Sequence, residues 1–170
     1  MKTLILYLSR EGQTKKIAEY IGTKFEKSAV QSLLDFSGDL ATFDRIIIGA
    51  SVRYGHFDQR LYQFLQKNTA LLQQKESSFF GVNLTARKEN KNTPETNVYV
   101  RKFLERIRWK PKYVGVFAGA LFYPRYSWFD RMMIRLIMKI TGGETDVSKE
   151  IEYTDWEKVD DFVLKIRQGE

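Results

Sequence analysis

The chain has 170 residues, of which 43% are hydrophobic, and a formal net charge of +7. At this length we expect a single domain spanning residues 1–170, with one sizeable core, and the hydrophobic share excludes intrinsic disorder. The sequence contains no cysteine. Disulfides, thiolate metal sites, cysteine nucleophiles and dithiol redox chemistry are therefore excluded, so any redox reaction would depend on a bound cofactor.

The N-terminal apolar run is too short for a secretory signal, and it lacks the small-residue cleavage site that such signals carry. No apolar stretch reaches the ~20 residues needed to span a bilayer. Both observations predict a cytoplasmic location for the chain.

Hydrophobic periodicity predicts strands and helices that largely alternate. In chain order they are strand Lys2–Leu8, helix Gln13–Phe25, strand Val30–Phe36, strand Arg45–Ala50, helix Gln59–Leu72, strand Ser78–Leu84, helix Pro94–Arg108, strand Tyr113–Gly119, helix Trp128–Ile140 and a final helix from about Asp155 to Arg167. The β-branched run RIIIGA is typical of a strand buried on both faces. Thr93 is the expected cap of the third helix, with Pro94 in its first turn. This order predicts an α/β fold with a parallel sheet between two helical layers.

The first strand–helix junction carries the motif Ser9-Arg10-Glu11-Gly12-Gln13-Thr14. Hydroxyl residues open and close the loop, Gly12 permits a tight turn, and the next helix presents free amides and the positive end of its dipole. This arrangement binds phosphate without a lysine. The loop matches neither the Walker A motif nor Gly-x-Gly-x-x-Gly. The structural alternative is an ordinary turn in which Ser9 and Thr14 simply cap a helix.

Polar loops also follow the third and fourth strands, and in an open parallel sheet these would converge with the first loop. Tyr54 offers a ring that can stack on a flat heterocycle or simply pack on the surface. Asn83 and Thr85 could hydrogen-bond the polar edge of that heterocycle. His56, the single histidine, is not surrounded by an acidic triad and is assigned no catalytic role.

The segment 121–146 interrupts the expected path from the fifth strand to the last helix. Within it, Arg131, Arg135 and Lys139 recur at helical spacing among large apolar residues. A helix of this length would be about 21 Å long, too short to cross a bilayer of ~30 Å. The pattern favours a helix lying in the membrane interface at Trp128–Ile140, with its basic residues at anionic headgroups. Packing of this face on the domain and oligomerisation through it are the alternatives.

Charge is distributed unevenly. Residues 85–112 carry nine Lys/Arg against three acids, whereas residues 143–170 carry nine acids against four bases. A basic segment indicates an anionic partner such as lipid headgroups, an acidic small molecule or nucleic acid, or else a solvated helix face. No nucleic-acid-binding motif is present, so we expect no nucleic-acid partner.

Longer stretches carry a family resemblance. They are MKTLILYLSREGQT at 1–14, IIIGASVRYGHF at 46–57, VNLTARKENKNTPETNVYVRKFL at 82–104, AGALFYPRYSWFDRMMIRLIMKITGGETD at 118–146 and YTDW at 153–156. With these stretches the chain resembles the menaquinone-dependent protoporphyrinogen IX dehydrogenases, a branch of the flavodoxin-like superfamily. The first stretch is shared by many flavodoxin-like proteins, whereas the segment after the fifth strand is more particular to this branch.

The resemblance implies a flavodoxin-like, doubly wound sheet of five parallel strands in the order 2-1-3-4-5, with a helical insert after or within the fifth strand. It implies FMN-dependent oxidation of protoporphyrinogen IX to protoporphyrin IX in haem synthesis. Transferred position by position, the phosphate would be held by Ser9, Arg10, Gly12, Gln13 and Thr14. The isoalloxazine would be framed by Ser51, Val52, Arg53, Tyr54, Gly55, Asn83, Leu84, Thr85, Ala86 and Arg87.

The resemblance also implies partners. Electrons would leave through menaquinone or a related quinone, with the protein peripheral on the cytoplasmic face of the inner membrane. The propionates of the porphyrinogen could pair with Arg53, Arg87, Lys88 or Arg125. No side chain is assigned as a general base and no metal is expected. Glu11 stands where related loops often carry a hydroxyl or an aspartate, so it should weaken phosphate binding slightly unless it points to solvent.

Two other functions fit a flavodoxin-like domain. A flavodoxin-type electron carrier is one, although such carriers are typically acidic and this chain is basic. An NAD(P)H-dependent quinone reductase is the other. Dependence of quinone reduction on NAD(P)H would separate the reductase from the dehydrogenase.

Overall fold

The computed structural model describes residues 1–169. Its centre is a five-stranded parallel sheet in the order β2-β1-β3-β4-β5. The strands are β1 Thr3–Leu8, β2 Ser28–Ser32, β3 Arg45–Ser51, β4 Glu76–Asn83 and β5 Tyr113–Ala118. The predicted doubly wound order is confirmed. Because β2 and β3 lie on opposite sides of β1, the carboxyl ends of β1 and β3 flank the topological switch point, where such folds bind ligands.

Helices cover both faces of the sheet, as the sequence predicts. They are α1 Gln13–Gly22, α2 Gln59–Gln74, α3 Val98–Arg106 and α5 Trp156–Gln168, whereas a further helix, α4 Trp128–Ile140, packs in a separate cluster. Helices α2 and α3 pack on one face through residues such as Leu61, Leu65 and Phe103. Helices α1 and α5 pack on the other face through residues such as Ile17 and Phe162.

Strand β3 lies in the middle of the sheet and is buried on both faces. Ile46 and Ile48 join the core beneath α2 and α3, whereas Ile47 joins the core beneath α1 and α5. All three side chains are 0% exposed. The prediction of a doubly buried strand from the β-branched run is therefore confirmed.

The second strand lies earlier in the chain than the predicted Val30–Phe36. Its ladder with β1 extends only to the pair Tyr7 and Ser32. The strand ends there because the chain turns, with the Asp35 N–H donating to the Ser32 carbonyl at 3.1 Å. Leu33 is buried just beyond the strand, so the apolar signal extended past the end of the ladder.

The third helix also differs from the prediction, because neither Thr93 nor Pro94 belongs to it. Helix α3 begins at Val98, and its cap is Asn97, whose side-chain oxygen accepts from the Val100 N–H at 3.3 Å. The Thr93 carbonyl instead accepts from the Asn97 N–H at 2.8 Å, which closes a turn ahead of the helix. The helix can start only after this turn.

A helical insert follows β5, at the place that the sequence predicts. Short strands β6 Ala120–Phe122 and β7 Glu150–Glu152 pair antiparallel at its base, and α4 lies between them. The insert is therefore longer than 121–146, and its β-ribbon was missed because strands this short leave almost no alternating pattern. Its own hydrophobic cluster contains Leu121, Tyr123, Tyr126, Ile134 and Met138.

Candidate functional site

A cavity of about 710 Å³ opens at the carboxyl ends of β1, β3 and β4. Its volume is typical of sites that hold small molecules and cofactors. The predicted cofactor residues that line it are Ser9, Arg10, Gln13, Thr14, Ser51, Val52, Arg53, Tyr54, Gly55, Asn83, Leu84, Thr85 and Arg87. Gly12 and Ala86 lie in the same loops but do not line the cavity. The three loops that the sequence analysis singled out do converge.

The loop before α1 presents an uncapped helix N-terminus to this cavity. Gly12 occupies the cap position with φ 105°, and no side chain accepts a hydrogen bond from the first-turn amides. The Gly12 N–H donates to Ser9 Oγ at 3.2 Å. Thr14 is 1% exposed and also lines the cavity. First-turn amides without an internal acceptor, together with the helix dipole, form a site for an anionic group.

The side chain of Gln13 is engaged elsewhere. Its Nε2 donates to Thr154 Oγ1 at 2.9 Å, and that hydroxyl donates to the Ala118 carbonyl at 2.7 Å. Gln13 therefore fastens the loop to the chain that follows β7. Its backbone N–H remains the group that can face a ligand phosphate.

Glu11 does not stand as an isolated negative charge beside the loop. Its carboxylate pairs with the Arg53 guanidinium, which also lies 3.4 Å from the carboxylate of Asp130 at the start of α4. Burial opposes the charge of Arg53, but the hydrogen bond and the charge of Glu11 outweigh it and raise the pKa of the guanidinium above its ordinary value. The repulsion that the sequence predicts between Glu11 and a phosphate is thus offset by Arg53.

The hydroxyl of Tyr54 donates to the same carboxylate of Asp130. This hydrogen bond, and secondarily the nearby charge of Arg53, hold the pKa of Asp130 below its usual range. Asp130 lies in the first turn of α4, where the helix dipole also favours a negative charge. The Tyr54 ring lines the cavity while 40% of the residue stays exposed, and its hydroxyl is held by Asp130.

Comparison with known proteins places the chain in a family. The sequence matches the family model described as Flavodoxin domain over residues 4–148. A protoporphyrinogen IX dehydrogenase (quinone) from Escherichia coli strain K12 is 46% identical to this chain over an alignment 177 residues long. The alignment covers 98% of this chain and 94% of that protein. The chain belongs to the protoporphyrinogen IX dehydrogenase (quinone) family. The resemblance that the sequence stretches carry is thereby confirmed.

Solved structures support the flavodoxin fold of this family member. Oxidised flavodoxin 2 from Bacillus cereus aligns with a TM-score of 0.58 and 19% identity, covering 100% of both chains. A Lactobacillus acidophilus NCFM flavoprotein in complex with FMN aligns with a TM-score of 0.50 and 23% identity, over 68% of this chain and 92% of that one. At these identities the likeness concerns the fold.

The cations predicted to meet a substrate fall into two groups. Arg125 does not line the cavity; its Nε donates to Glu150 at 2.9 Å and its Nη1 to the Glu11 carbonyl at 3.1 Å. With Arg53 also paired, a substrate carboxylate would have to displace a protein carboxylate from either arginine. Arg87 and Lys88 both line the cavity, and neither forms an ion pair within residues 1–169.

The insert of this dehydrogenase-family chain forms one wall of the cavity. It contributes Phe122, Tyr126, Met133, Ile134, Ile137, Met138 and Thr141. Sequence analysis missed this role, because the helical pattern shows which residues share a face but not which loops that face meets. The insert is therefore part of the site and not only an outer attachment.

The other face of α4 is apolar and exposed. Its exposed side chains are Trp128, Phe129, Met132, Leu136 and Ile140. The predicted basic stripe is only partly right, because Arg131 donates to the carbonyls of Tyr123 at 3.2 Å and Tyr126 at 3.3 Å. Arg135 and Lys139 remain exposed.

No helix in the part of the chain that the structure describes is both long enough and apolar enough to cross a membrane.

A residue that the sequence analysis did not single out holds the loop after β4 in place. Asn97 is 0% exposed, and its Nδ2 donates to Asn83 Oδ1 at 3.0 Å while Asn83 Nδ2 donates back to Asn97 Oδ1 at 3.1 Å. Asn97 also donates to the Lys91 carbonyl at 2.9 Å. The signal available in the sequence was an asparagine directly before an apolar helical pattern.

Replacing Asn97 with alanine should destabilise the protein by about 2–3 kcal/mol, because it removes the α3 cap and the acceptor of the buried Asn83 Nδ2. Urea unfolding at constant m-value measures this loss. Asn90→Ala, at an exposed position of the same loop, is the matched control and should stay within about 0.5 kcal/mol of the wild type. Equal stabilities for the two variants would show that the amide pair contributes nothing.

Proposed function

We propose that this protein is an FMN-dependent oxidoreductase that oxidises protoporphyrinogen IX to protoporphyrin IX and passes the electrons to a quinone. The observation that carries the proposal is the uncapped N-terminus of α1 facing a cofactor-sized cavity, in a chain of this family. The sequence resemblance supports menaquinone as the quinone and haem synthesis as the pathway.

The residues of the cavity fit FMN. The first-turn amides of α1, with the hydroxyls of Ser9 and Thr14, would hold the phosphate. The Tyr54 ring would lie along the isoalloxazine, and Asn83 and Thr85 would face its polar edge. When bound, FMN supplies the two-electron redox chemistry that a chain without cysteine does not itself provide.

The chain's own groups would position the substrate and exclude water. The insert wall presents apolar side chains such as Phe122, Met133 and Ile134 to the cavity, which suits the large apolar surfaces of a porphyrinogen and a quinone. Arg87 and Lys88, which also line the cavity, can pair with propionates. We assign no side chain to proton transfer.

Lys88→Ala should raise the apparent KM for protoporphyrinogen by about fivefold to tenfold and leave kcat nearly unchanged, because it removes a charge that binds substrate and transition state alike. Lys88 is preferred to Arg87, whose guanidinium also donates to the Leu84 carbonyl at 2.8 Å and would disturb the loop when removed. Lys102→Ala, on the exposed side of α3, is the control. An unchanged KM would remove Lys88 from the substrate site.

The exposed apolar face of α4 supports a peripheral position on an anionic membrane, and the sequence resemblance implies the cytoplasmic side of the inner membrane. Exposed Arg135 and Lys139 follow the same helix and would meet headgroups while the apolar side chains enter the interface. A quinone dissolved in that membrane would then reach the cavity beside the insert. Pairing of two copies through this face is the competing outcome.

One assay tests the proposed reaction. Purified protein loaded with FMN should reduce a soluble menaquinone analogue at the expense of protoporphyrinogen, without NAD(P)H. Protein from which FMN has been removed is the control and should be inactive until FMN is restored. Quinone reduction with NAD(P)H and none with protoporphyrinogen would identify a reductase and contradict the proposal.

A further inference from the structure

Three segments distant in the sequence meet through charged groups at the mouth of the cavity. Glu11 comes from the loop after β1, Arg53 and Tyr54 come from the loop after β3, and Asp130 comes from the first turn of α4. We call these four residues the Arg53 clasp. Its charged contacts join the insert helix to both loops.

The clasp is more shielded from water than the ion pairs on the protein surface. The side chains of Arg53, Glu11 and Asp130 are 13%, 23% and 26% exposed, against 41% and 37% for the surface pair Lys112 and Glu76. Shielded pairs are weakened less by solvent and salt. The Arg53 guanidinium also lies 5.2 Å from the centre of the Tyr126 ring in the insert wall, a cation–π contact.

The backbone beside the clasp adopts a conformation that is unfavourable for the residue it holds, Tyr54. Tyr54 has φ 53° and Gly55 has φ 80°, so consecutive residues adopt left-handed angles between Arg53 and His56. The flanking residues exchange backbone hydrogen bonds at 2.9 and 3.1 Å, which closes a tight turn. Left-handed angles suit glycine but cost energy for tyrosine. The hydrogen bond from the Tyr54 hydroxyl to Asp130 can offset part of that energetic cost.

We infer that Arg53 and Asp130 are positioning residues: the clasp fastens the insert across the cavity and fixes the Tyr54 ring for stacking on the flavin. The inference rests on the proposed function, because it concerns how the chain holds FMN. It assigns the start of α4 a role in cofactor binding, distinct from any contact of the outer face of that helix with lipid. Opening the clasp would loosen the start of α4 and the Tyr54 ring, whereas Arg125 would still tie the insert to the Glu11 carbonyl.

Two conservative substitutions test the inference. Tyr54→Phe keeps the ring but removes its hydrogen bond, and Asp130→Asn removes the charge that faces Arg53. Each should weaken FMN binding by about threefold to tenfold, measured by quenching of flavin fluorescence, and should change the visible circular dichroism of the bound flavin. An asparagine amide oxygen can still accept from the Tyr54 hydroxyl, so the two substitutions remove different contacts of one clasp. The double variant should therefore lose less FMN affinity than the two single losses combined.

Lys149→Gln is the matched control, because it breaks an exposed ion pair with Glu144 elsewhere in the insert and should leave FMN affinity unchanged. Thermal unfolding of each apoprotein separates a local effect from a global one. If Asp130→Asn does not fold, the FMN affinity of Tyr54→Phe alone tests the inference, because that substitution preserves the packing of the ring. Wild-type affinity in the folded variants, or additive losses in the double variant, would overturn the inference. Failure of the wild type to bind FMN would instead overturn the proposed function on which it rests.

Discussion

Simultaneous replacement of Ser9 and Thr14 by alanine is expected to weaken FMN binding by about 100-fold or more. Both residues line the cavity at the uncapped start of α1, and a hydroxyl that donates to a phosphate contributes roughly 1.5–3 kcal/mol because the acceptor is charged. Fluorescence titration of the apoprotein with FMN measures the loss. Because Ser9→Ala also removes the acceptor of the Gly12 N–H, thermal unfolding of the apoprotein checks that the fold is kept.

Thr23→Ala is the control for this pair of substitutions. Thr23 follows the last residue of the same helix, and its hydroxyl donates only to the Tyr20 carbonyl at 2.6 Å. It should bind FMN with wild-type affinity. Equal affinities of the Ser9/Thr14 double variant and the Thr23 variant would mean that the phosphate lies somewhere else.

Replacing Trp128, Phe129, Leu136 and Ile140 by glutamine should reduce binding to anionic lipid vesicles by at least about 100-fold. These side chains are 71%, 61%, 52% and 76% exposed, so each can transfer apolar area from water into the lipid interface, at roughly 25 cal/mol per Å². Co-sedimentation with vesicles of mixed neutral and anionic lipid measures the change. FMN affinity should persist, because none of the four residues lines the cavity.

Leu164→Gln is the matched control for the membrane prediction, since Leu164 is an equally exposed apolar residue on α5, at 52%. It should leave vesicle binding unchanged. Vesicle binding that survives the four substitutions would contradict a membrane role for this face. Loss of a dimer in sedimentation velocity, with no effect on vesicles, would assign the face to a second copy of the chain.

Local sequence patterns predicted the central architecture well. The run RIIIGA gave a doubly buried strand, and the bounds of α4 coincide with the predicted Trp128–Ile140. In both cases the local pattern of apolar residues is long and regular enough to define the element, whether its side chains are buried, as in β3, or largely exposed, as in α4. The bounds of β2 and α3 were wrong because turns with specific hydrogen bonds, at Ser32 and Thr93, override the apolar periodicity.

The sequence indicated which residues lie around the cavity, but not which of them pair with one another. The loop before α1 and the loops after β3 and β4 converge as expected, because parallel topology brings the carboxyl ends of strands together. The pairing of Glu11 with Arg53 and the buried amide pair of Asn83 with Asn97 depend on tertiary placement. A charge count along the chain cannot reveal that Arg53 already has acidic partners.

The central claim is that the start of α1 binds FMN through its phosphate. The measurement that tests it most directly is calorimetric titration of the wild-type apoprotein with FMN and, separately, with riboflavin, which has the same ring system without the phosphate. We predict a single tight site for FMN and binding of riboflavin weaker by about 100-fold or more. Equal affinities for the two flavins, or no binding of FMN, would contradict the account.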